Sequence, residues 1–251
     1  VIDEQLQFGW SYSQTLYQEQ TVAALAQGFI TALRALLAHC LSAGAGGYTP
    51  SDFPDLALEQ ATLDQLITQI RTHNGLVHSS AAATMTALYP LAPSQQGLLY
   101  DTLSQQTLAL ETGDATGKYI EIYTYDLPGV LDVTGLQQAW QTVVARHTAL
   151  RTGFLWAGVA EPLQFVLSQV DLALPYQDWR SASPTQQEAQ WQAYLQEVSA
   201  TGFDLARPPL MRLALFRLAE ERHRLVWAAH HIVKDGWGTQ IILREVLALY
   251  E

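Results

Sequence analysis

Apolar residues in the first part of the chain follow two periods, which predict one strand and two helices. Residues 6–13 alternate apolar with small or polar side chains, as a strand does. From 21 to 41 the apolar residues recur at helical spacing, and Glu19 lies where the helix dipole favours a negative charge. The glycine-rich stretch 42–47 ends this helix. A shorter amphipathic helix is predicted over 58–70.

A run of small residues over 72–86 indicates a linker, and a mixed pattern of helices and strands follows it. Helices are predicted over 93–108 (with Ser94 as a candidate cap), 132–146, 184–200 and 239–250, and strands over 119–127, 150–154, 162–170, 209–216 and 223–231. Only a short charged turn separates the last two strands, so they are predicted to form a hairpin. The fold class is therefore α/β, a mixed sheet with flanking helices.

Composition narrows the possible partners. The chain has 251 residues and a net charge of −11, which argues against a nucleic-acid partner because phosphate binding needs a basic surface. No uninterrupted apolar run approaches the roughly 20 residues of a membrane helix, and the first residues carry no export signal, so no membrane partner is expected. The single Cys40 suits the cytoplasm and is predicted to be a buried structural thiol. The start at Val1 suggests a piece of a longer protein.

Ionisable residues gather where the last predicted strand meets the last predicted helix. Side chains alternate across a strand, so His230 and His231 point to opposite faces and cannot serve the same ligand. Asp235 follows after a short turn, and Gly236 permits a backbone conformation that a side chain would resist. One histidine can enter a cleft while the other holds the turn.

Three other chemistries are disfavoured by the residues themselves. A metal site is not expected, because the adjacent histidines diverge and no third ligand has a spacing suited to zinc. A serine-hydrolase triad lacks its G-x-S-x-G turn. The glycine-rich stretch 42–47 lacks the Lys-Ser/Thr pair of a phosphate loop.

Three motifs, in this order and at this spacing, resemble those of the condensation domain of nonribosomal peptide synthetases. They are APSQQGLLY at 92–100, RHTALRTGF at 146–154, which matches RHxxLRTxF, and HHIVKDG at 230–236, which matches HHxxxDG. The wording around Tyr89 resembles the subclass that accepts a D-configured donor. The FGWSYS stretch at 8–13, the following helix and TPSDF at 49–53 look like the end of an epimerization domain.

The resemblance implies a domain organisation. Residues 1–54 would be the C-terminal tail of an upstream epimerization domain, an incomplete strand–helix segment. Residues 55–88 would be an inter-domain helix and linker, and residues 89–251 the N-terminal lobe of a condensation domain, with the fold of chloramphenicol acetyltransferase. Such domains are pairs of lobes with the active site between them. The second, C-terminal lobe is expected to be missing here, and the fragment is expected to be inactive alone.

The reaction implied is amide formation between two carrier-bound thioesters. No cofactor is expected to bind tightly, because the substrates are carried on the 4'-phosphopantetheine of partner carrier domains. The partners implied are upstream and downstream peptidyl carrier domains, the C-terminal lobe, the upstream epimerization domain and a downstream adenylation domain. His231 is the expected catalytic histidine, either as a general base near neutral pH or as a group that orients the amine or stabilises the intermediate.

The same resemblance assigns supporting roles. Asp235 would point away from the channel and pair with an arginine of the RHxxLRTxF motif, with Arg151 preferred over Arg146. His230 would fix the turn, and Gly236 would leave room for backbone near the substrate. Lys234 departs from the family pattern, which has an apolar or small residue there, and is interpreted as an exposed turn residue or one that perturbs Asp235.

Two other functions remain open. The chain could be a non-catalytic platform between domains, which binds its neighbours without forming a peptide bond. It could also be a coenzyme A-dependent acyltransferase of the chloramphenicol acetyltransferase type, because HHxxxDG alone occurs there too.

Overall fold

The computed structural model describes residues 6–42, 47–76, 85–112 and 119–251, and the backbone alone over 109–112. The chain divides into two compact units, Val1–Thr49 and Pro50–Glu251. The predicted boundaries after residues 54 and 88 stay predictions. Most of the glycine-rich stretch 42–47 and most of the predicted linker lie outside the described residues.

The first unit contains one long helix, α1 (Glu19–Cys40), as the apolar pattern predicts. The strand predicted over 6–13 is wrong: this stretch is irregular, because no described strand pairs with it. Instead, Phe8 and Trp10 pack edge-to-face on Phe29, with ring centroids 5.1 and 5.7 Å apart. None of the helix's residues is buried in this unit. Cys40 is therefore exposed, and the prediction of a buried thiol is wrong.

By length and composition alone, α1 could cross a membrane. This differs from the sequence prediction, which counted uninterrupted apolar residues, whereas α1 intersperses a few polar ones. The core helix of a soluble protein and a signal sequence share this length and composition.

The second unit contains five helices and seven strands in its described part. The helices are α2 (Gln60–His73), α3 (Pro93–Thr112), α4 (Val133–Arg146), α5 (Pro184–Thr201) and α6 (Gly236–Tyr250). The strands are β1 (Met85–Pro90), β2 (Ile120–Pro128), β3 (Thr152–Leu155), β4 (Leu163–Leu167), β5 (Tyr176–Asp178), β6 (Met211–Ala219) and β7 (Arg222–His230). The α/β class is confirmed.

The strands form two sheets. One has the order β1-β4-β3 and is antiparallel throughout, and the other has the order β2-β7-β6-β5, in which only β5 runs parallel to its neighbour. The predicted hairpin is confirmed as β6–β7. Strand β2 pairs with β7 over nine residues, from Ile120 opposite His230 to Pro128 opposite Arg222. This pairing places the start of β2 beside the histidine motif.

Local sequence explains most helix starts. Asp132 accepts the backbone N–H of Thr134 and begins α4, and Ser183 with Gln186 forms a capping box that begins α5. Ser94 is not a cap as predicted, because α3 already begins at Pro93, whose missing N–H suits the first helical turn.

Two strands and one turn differ from the sequence prediction. The structure begins β1 at Met85, four residues before the predicted domain start, because Met85–Pro90 pairs with β4. The three-residue strand β5 was missed, since so short a segment has no periodic signal. Residues 148–151, partly predicted as strand, form a 3-10 turn before β3.

An apolar cluster lies directly under the histidine motif. Its buried members come from the link between β1 and α3, from α3, β3, the segment before β6 and the turn after β7: Leu91, Leu99, Phe154, Phe203, Leu205, Leu210, Ile232 and Val233. Each buried aliphatic or aromatic side chain of this kind contributes about 1.5–3 kcal/mol. The turn that carries the histidines is therefore fixed from below by packing.

Candidate active site

The histidine motif lies on a strand, a turn and a helix start, in the predicted order. Strand β7 ends at His230, residues 231–233 form a 3-10 turn, and α6 begins at Gly236. His231 is thus in the turn and not in the strand as predicted. Its backbone N–H donates to the carbonyl of Tyr119 at 2.8 Å, which ties the turn to the residue before β2.

His230 is buried, with 1% of its surface exposed. Its Nδ1 accepts the backbone N–H of Ile232 at 3.1 Å, so the ring proton is on Nε2. Nε2 lies 3.2 Å from the hydroxyl of Thr102, which itself donates to the carbonyl of Leu98. Burial, helped by the charge of His231, lowers the pKa of His230 to about 4. His230 is therefore neutral at pH 7 and holds the turn from inside the lobe.

His231 is placed differently, because 38% of its side chain is exposed. Its Nδ1 is buried and has no hydrogen-bond partner among the described residues. The carboxylate of Glu121 is 3.5 Å from Nδ1, which is an ion-pair distance but longer than a hydrogen bond. Since Nδ1 faces inward, Nε2 is the ring nitrogen available to a substrate.

Asp235 is an exposed helix cap. Its Oδ1 accepts the backbone N–H of Gly238 at 2.8 Å, and its carbonyl accepts the N–H and hydroxyl of Thr239. A carboxylate there also favours the positive end of the α6 dipole. Gly236 has an ordinary φ and open space where a Cβ would lie. The prediction that its backbone adopts a conformation that a side chain would resist is therefore wrong.

The predicted ion pair between Asp235 and Arg151 does not form, although both residues are described. Arg151 is buried, and its guanidinium donates to the carbonyls of Val144 and Leu167. It therefore joins the end of α4 to the end of β4. These backbone carbonyls take the place of the Asp235 carboxylate as its hydrogen-bond acceptors. The lesser candidate, Arg146, also misses Asp235.

Arg146 and the neighbouring His147 both contact Glu245 of α6, at 2.7 and 3.1 Å. Glu245 has a lowered pKa because these two side chains hydrogen-bond to it. The RHxxLRTxF and HHxxxDG segments are thus connected through α6, and not through Asp235.

Lys234 is neither exposed nor in contact with Asp235. Only 1% of its side chain is exposed, and its ammonium donates to the carboxylate of Glu121 and to the hydroxyls of Tyr123 and Thr239. It also lies 4.5 Å from the ring centroid of Tyr123.

Among the described residues, no group of three or more His, Cys, Asp or Glu could hold a metal ion.

A family model for the condensation domain matches residues 85–251. The chain belongs to the condensation domain family. Domains of this family are amide-bond-forming acyltransferases of nonribosomal peptide synthetases. The resemblance of the three motifs to those of a condensation domain is confirmed.

Curated relatives include peptide synthetases of bacilli. A linear gramicidin synthase of Brevibacillus parabrevis is 40% identical over 250 residues, and bacitracin synthase 3 of Bacillus licheniformis is 29% identical over 251. Each match covers 100% of this chain, which spans about 4% of the length of either relative.

Solved condensation domains share the fold. The starter condensation domain of rhizomide synthetase matches 65% of this chain and 39% of its own, with a TM-score of 0.56 and 22% identity. The first condensation domain of the CDA synthetase matches 66% and 40%, with a TM-score of 0.53 and 24% identity. These identities establish the fold alone, including its likeness to chloramphenicol acetyltransferase.

Sequence reasoning missed one residue of this condensation-domain site, Glu121, and assigned another, Lys234, to the wrong surroundings. A signal for them was present in the sequence. Glu121 is an acidic residue in a strand of apolar and aromatic residues, and Lys234 occupies a position where the family has an apolar or small residue. Two opposite charges at positions expected to be buried or apolar indicate an ion pair between them, because a buried charge without a partner is costly.

Proposed function

We propose that this chain is the N-terminal lobe of a condensation domain that joins a carrier-bound donor to a carrier-bound aminoacyl acceptor. The observation that carries the proposal is His231. It is the histidine of the HHxxxDG motif with an exposed ring, and its inner nitrogen is turned away from solvent. His230 is buried and neutral, so it cannot meet a substrate.

The proposed reaction forms one C–N bond and breaks one C–S bond. The acceptor's neutral α-amine attacks the donor's thioester carbonyl, the amine loses a proton, and the donor's phosphopantetheine thiol leaves. Nε2 of His231 is positioned to receive that proton or to hold the amine. General-base catalysis contributes about 10²–10⁴ in rate, and fixing two tethered substrates can contribute more.

We assign the other motif residues to positioning. His230 holds the turn through Ile232, and Asp235 begins α6. Arg151, the second arginine of the RHxxLRTxF segment, joins α4 to β4. Gly236 leaves open space at the start of α6, which suits a backbone near the substrate arms.

The domain context is also proposed. Residues 1–54 would be the tail of an upstream epimerization domain, so the donor would be D-configured. The support is that one gramicidin synthase matches the whole chain, both units included. The expected neighbours are peptidyl carrier, epimerization and adenylation domains and a C-terminal lobe, acting in the cytoplasm. Without that second lobe the 251 residues would be inactive.

A peptide-forming assay on the complete synthetase polypeptide tests the proposal. His231→Ala is expected to lower the rate of amide formation by about 10²–10⁴, the contribution of general-base catalysis. His73→Ala is the matched control, because His73 is an exposed histidine paired with Asp204 outside the motif. Wild-type turnover in the His231 variant would refute the catalytic role.

The same assay separates the alternatives. Consumption of acetyl-coenzyme A without carrier proteins would instead support an acyltransferase of the chloramphenicol acetyltransferase type. Binding of neighbouring domains with no amide product from the complete polypeptide would support a non-catalytic platform.

A further inference from the structure

Lys234 is an unusual buried cation next to the proposed catalytic histidine. Removing a lysine ammonium from water costs several kcal/mol unless it is paired and hydrogen-bonded. Its three donors have three acceptors: the Glu121 carboxylate, the Tyr123 hydroxyl and the Thr239 hydroxyl. Lys234 is therefore fully satisfied, and the three acceptors set the geometry of its ammonium.

That geometry fixes the position of Glu121. The Oε2 atom of Glu121 accepts from Lys234 and, at 3.1 Å, from the hydroxyl of Tyr123. Partial burial raises the pKa of Glu121, but the hydrogen bonds from Lys234 and Tyr123 and the charges of Lys234 and His231 outweigh it and lower the pKa. Glu121 is thus ionised at pH 7. About a third of its side chain is exposed, which also favours the charged form.

The same oxygen faces His231. Oε2 of Glu121 is 3.5 Å from Nδ1, an atom that is buried and has no other polar partner in the described part of the chain. A fixed anion at this position favours the tautomer with its proton on Nδ1, because the N–H dipole then points at the carboxylate. Other titratable groups near the turn include Tyr119, which is paired with Asp101, the neutral His230, and Asp235, whose carboxylate accepts the N–H of Gly238.

We propose that Glu121, anchored by Lys234, is a positioning residue that keeps the His231 proton on Nδ1 and leaves the Nε2 lone pair free for the acceptor amine. The proposal rests on the proposed condensation function for its catalytic consequence. Its structural part, the tautomer of His231, does not depend on that function and can be measured separately.

Nitrogen-15 NMR of the 251-residue chain labelled at histidine reports the tautomer directly. We expect neutral His231 to be mainly the Nδ1–H form in the wild-type chain. The share of that form should fall in Lys234→Met, which keeps the carboxylate but removes its anchor. In Glu121→Gln, and in the double variant Glu121→Leu/Lys234→Met, the Nε2–H form should become the majority. The double variant removes both charges, so it avoids leaving a buried ammonium unpaired if Glu121→Gln folds poorly.

A matched control is available on the same two strands. Asp126 of β2 pairs with Arg224 of β7 at 2.7 Å, five residues along β2 from Glu121. Asp126→Leu/Arg224→Met removes a carboxylate and its cation in the same way but is expected to leave the His231 tautomer unchanged. Persistence of the Nδ1–H form in Glu121→Leu/Lys234→Met, or a wild-type Nε2–H form, would overturn the proposal.

Activity of the complete synthetase polypeptide gives the second readout. Glu121→Leu/Lys234→Met is expected to lower kcat by about 10- to 100-fold, less than the loss expected for His231→Ala because the imidazole is still present, with KM nearly unchanged. Wild-type kcat in this variant would overturn the positioning role. A tautomer that shifts as expected while His231→Ala retains full turnover would instead refute the catalytic function and leave the Glu121 contact established.

Discussion

The ring of His230 and the hydroxyl of Thr102 are 3.2 Å apart inside the lobe, and they fix each other's hydrogen bonds. His230 accepts at Nδ1 and donates at Nε2, while the Thr102 hydroxyl donates its own hydrogen bond to the carbonyl of Leu98. The arrangement works only for a neutral imidazole, because a proton on Nδ1 would oppose the N–H of Ile232.

Stability is therefore expected to depend on pH through His230. Its pKa is about 4 in the folded chain, against an ordinary value of 6.5, so the unfolded chain binds a proton first as pH falls. Stability should be full above pH 6.5 and fall by on the order of 3 kcal/mol as pH drops toward 4. Urea unfolding at about pH 7 and about pH 4.5, on either side of the ordinary histidine pKa, measures this. His230→Asn should show a smaller pH dependence, and an unchanged one would contradict the assignment.

Asp235→Ala is expected to cost about 1 kcal/mol of stability, the usual cost of losing a helix cap. The loss of a buried ion pair would cost about 3–5 kcal/mol instead. Asp132→Ala is the control, because Asp132 caps α4 in the same way, at 3.0 Å from the Thr134 nitrogen. Thermal melts should give similar losses for the two variants. Only Asp235→Ala should also slow amide formation, because it loosens the turn that carries His231.

A double-mutant cycle distinguishes the observed contacts of Arg151 from the expected ones. Arg151→Lys should destabilise the chain, because one ammonium cannot reach both the Val144 and Leu167 carbonyls. Combined with Asp235→Ala, the two losses in unfolding free energy should add within about 0.5 kcal/mol, since the residues share no partner. A larger coupling energy would support the ion pair between Arg151 and Asp235 that the sequence predicts.

Gly153→Ala should destabilise the chain by about 1–3 kcal/mol through overpacking. A Cβ at Gly153 would overlap the ring of Phe165, which is fully buried, and lie 2.9 Å from Cδ of Pro208. Gly97→Ala in α3 is the control with the opposite sign, because its Cβ meets nothing and alanine favours a helix by about 0.5–1 kcal/mol. Equal melting temperatures for the two variants would contradict the close packing of Phe165 and Pro208 against Gly153.

Periodicity was enough to predict the helices and most strands of the second unit, because they bury one clear face. The helix predicted over 132–146 is confirmed as α4, in which Leu136 and Trp140 are buried. It failed for residues 6–13, since alternation alone cannot supply a partner strand. It also missed β1, because the small residues before it resemble a linker.

The histidine site was predicted only in part, for a physical reason. Motif spacing along one segment places His230, His231 and Asp235 on a turn, and the structure agrees. Contacts between distant segments depend on register, which a single sequence does not fix. Arg151 was therefore assigned the wrong partner, and the Glu121–Lys234 pair was missed.

The two halves of the Glu121–Lys234 pair lie 113 positions apart in the chain. This spacing matters for chimaeric synthetases assembled by exchanging segments between parents. Any junction between β2 and α6 separates the carboxylate from its cation, and a parent with an apolar residue at either position would leave an unpaired charge beside the histidine. Crossover points for this domain should therefore keep residues 121–234 from one parent.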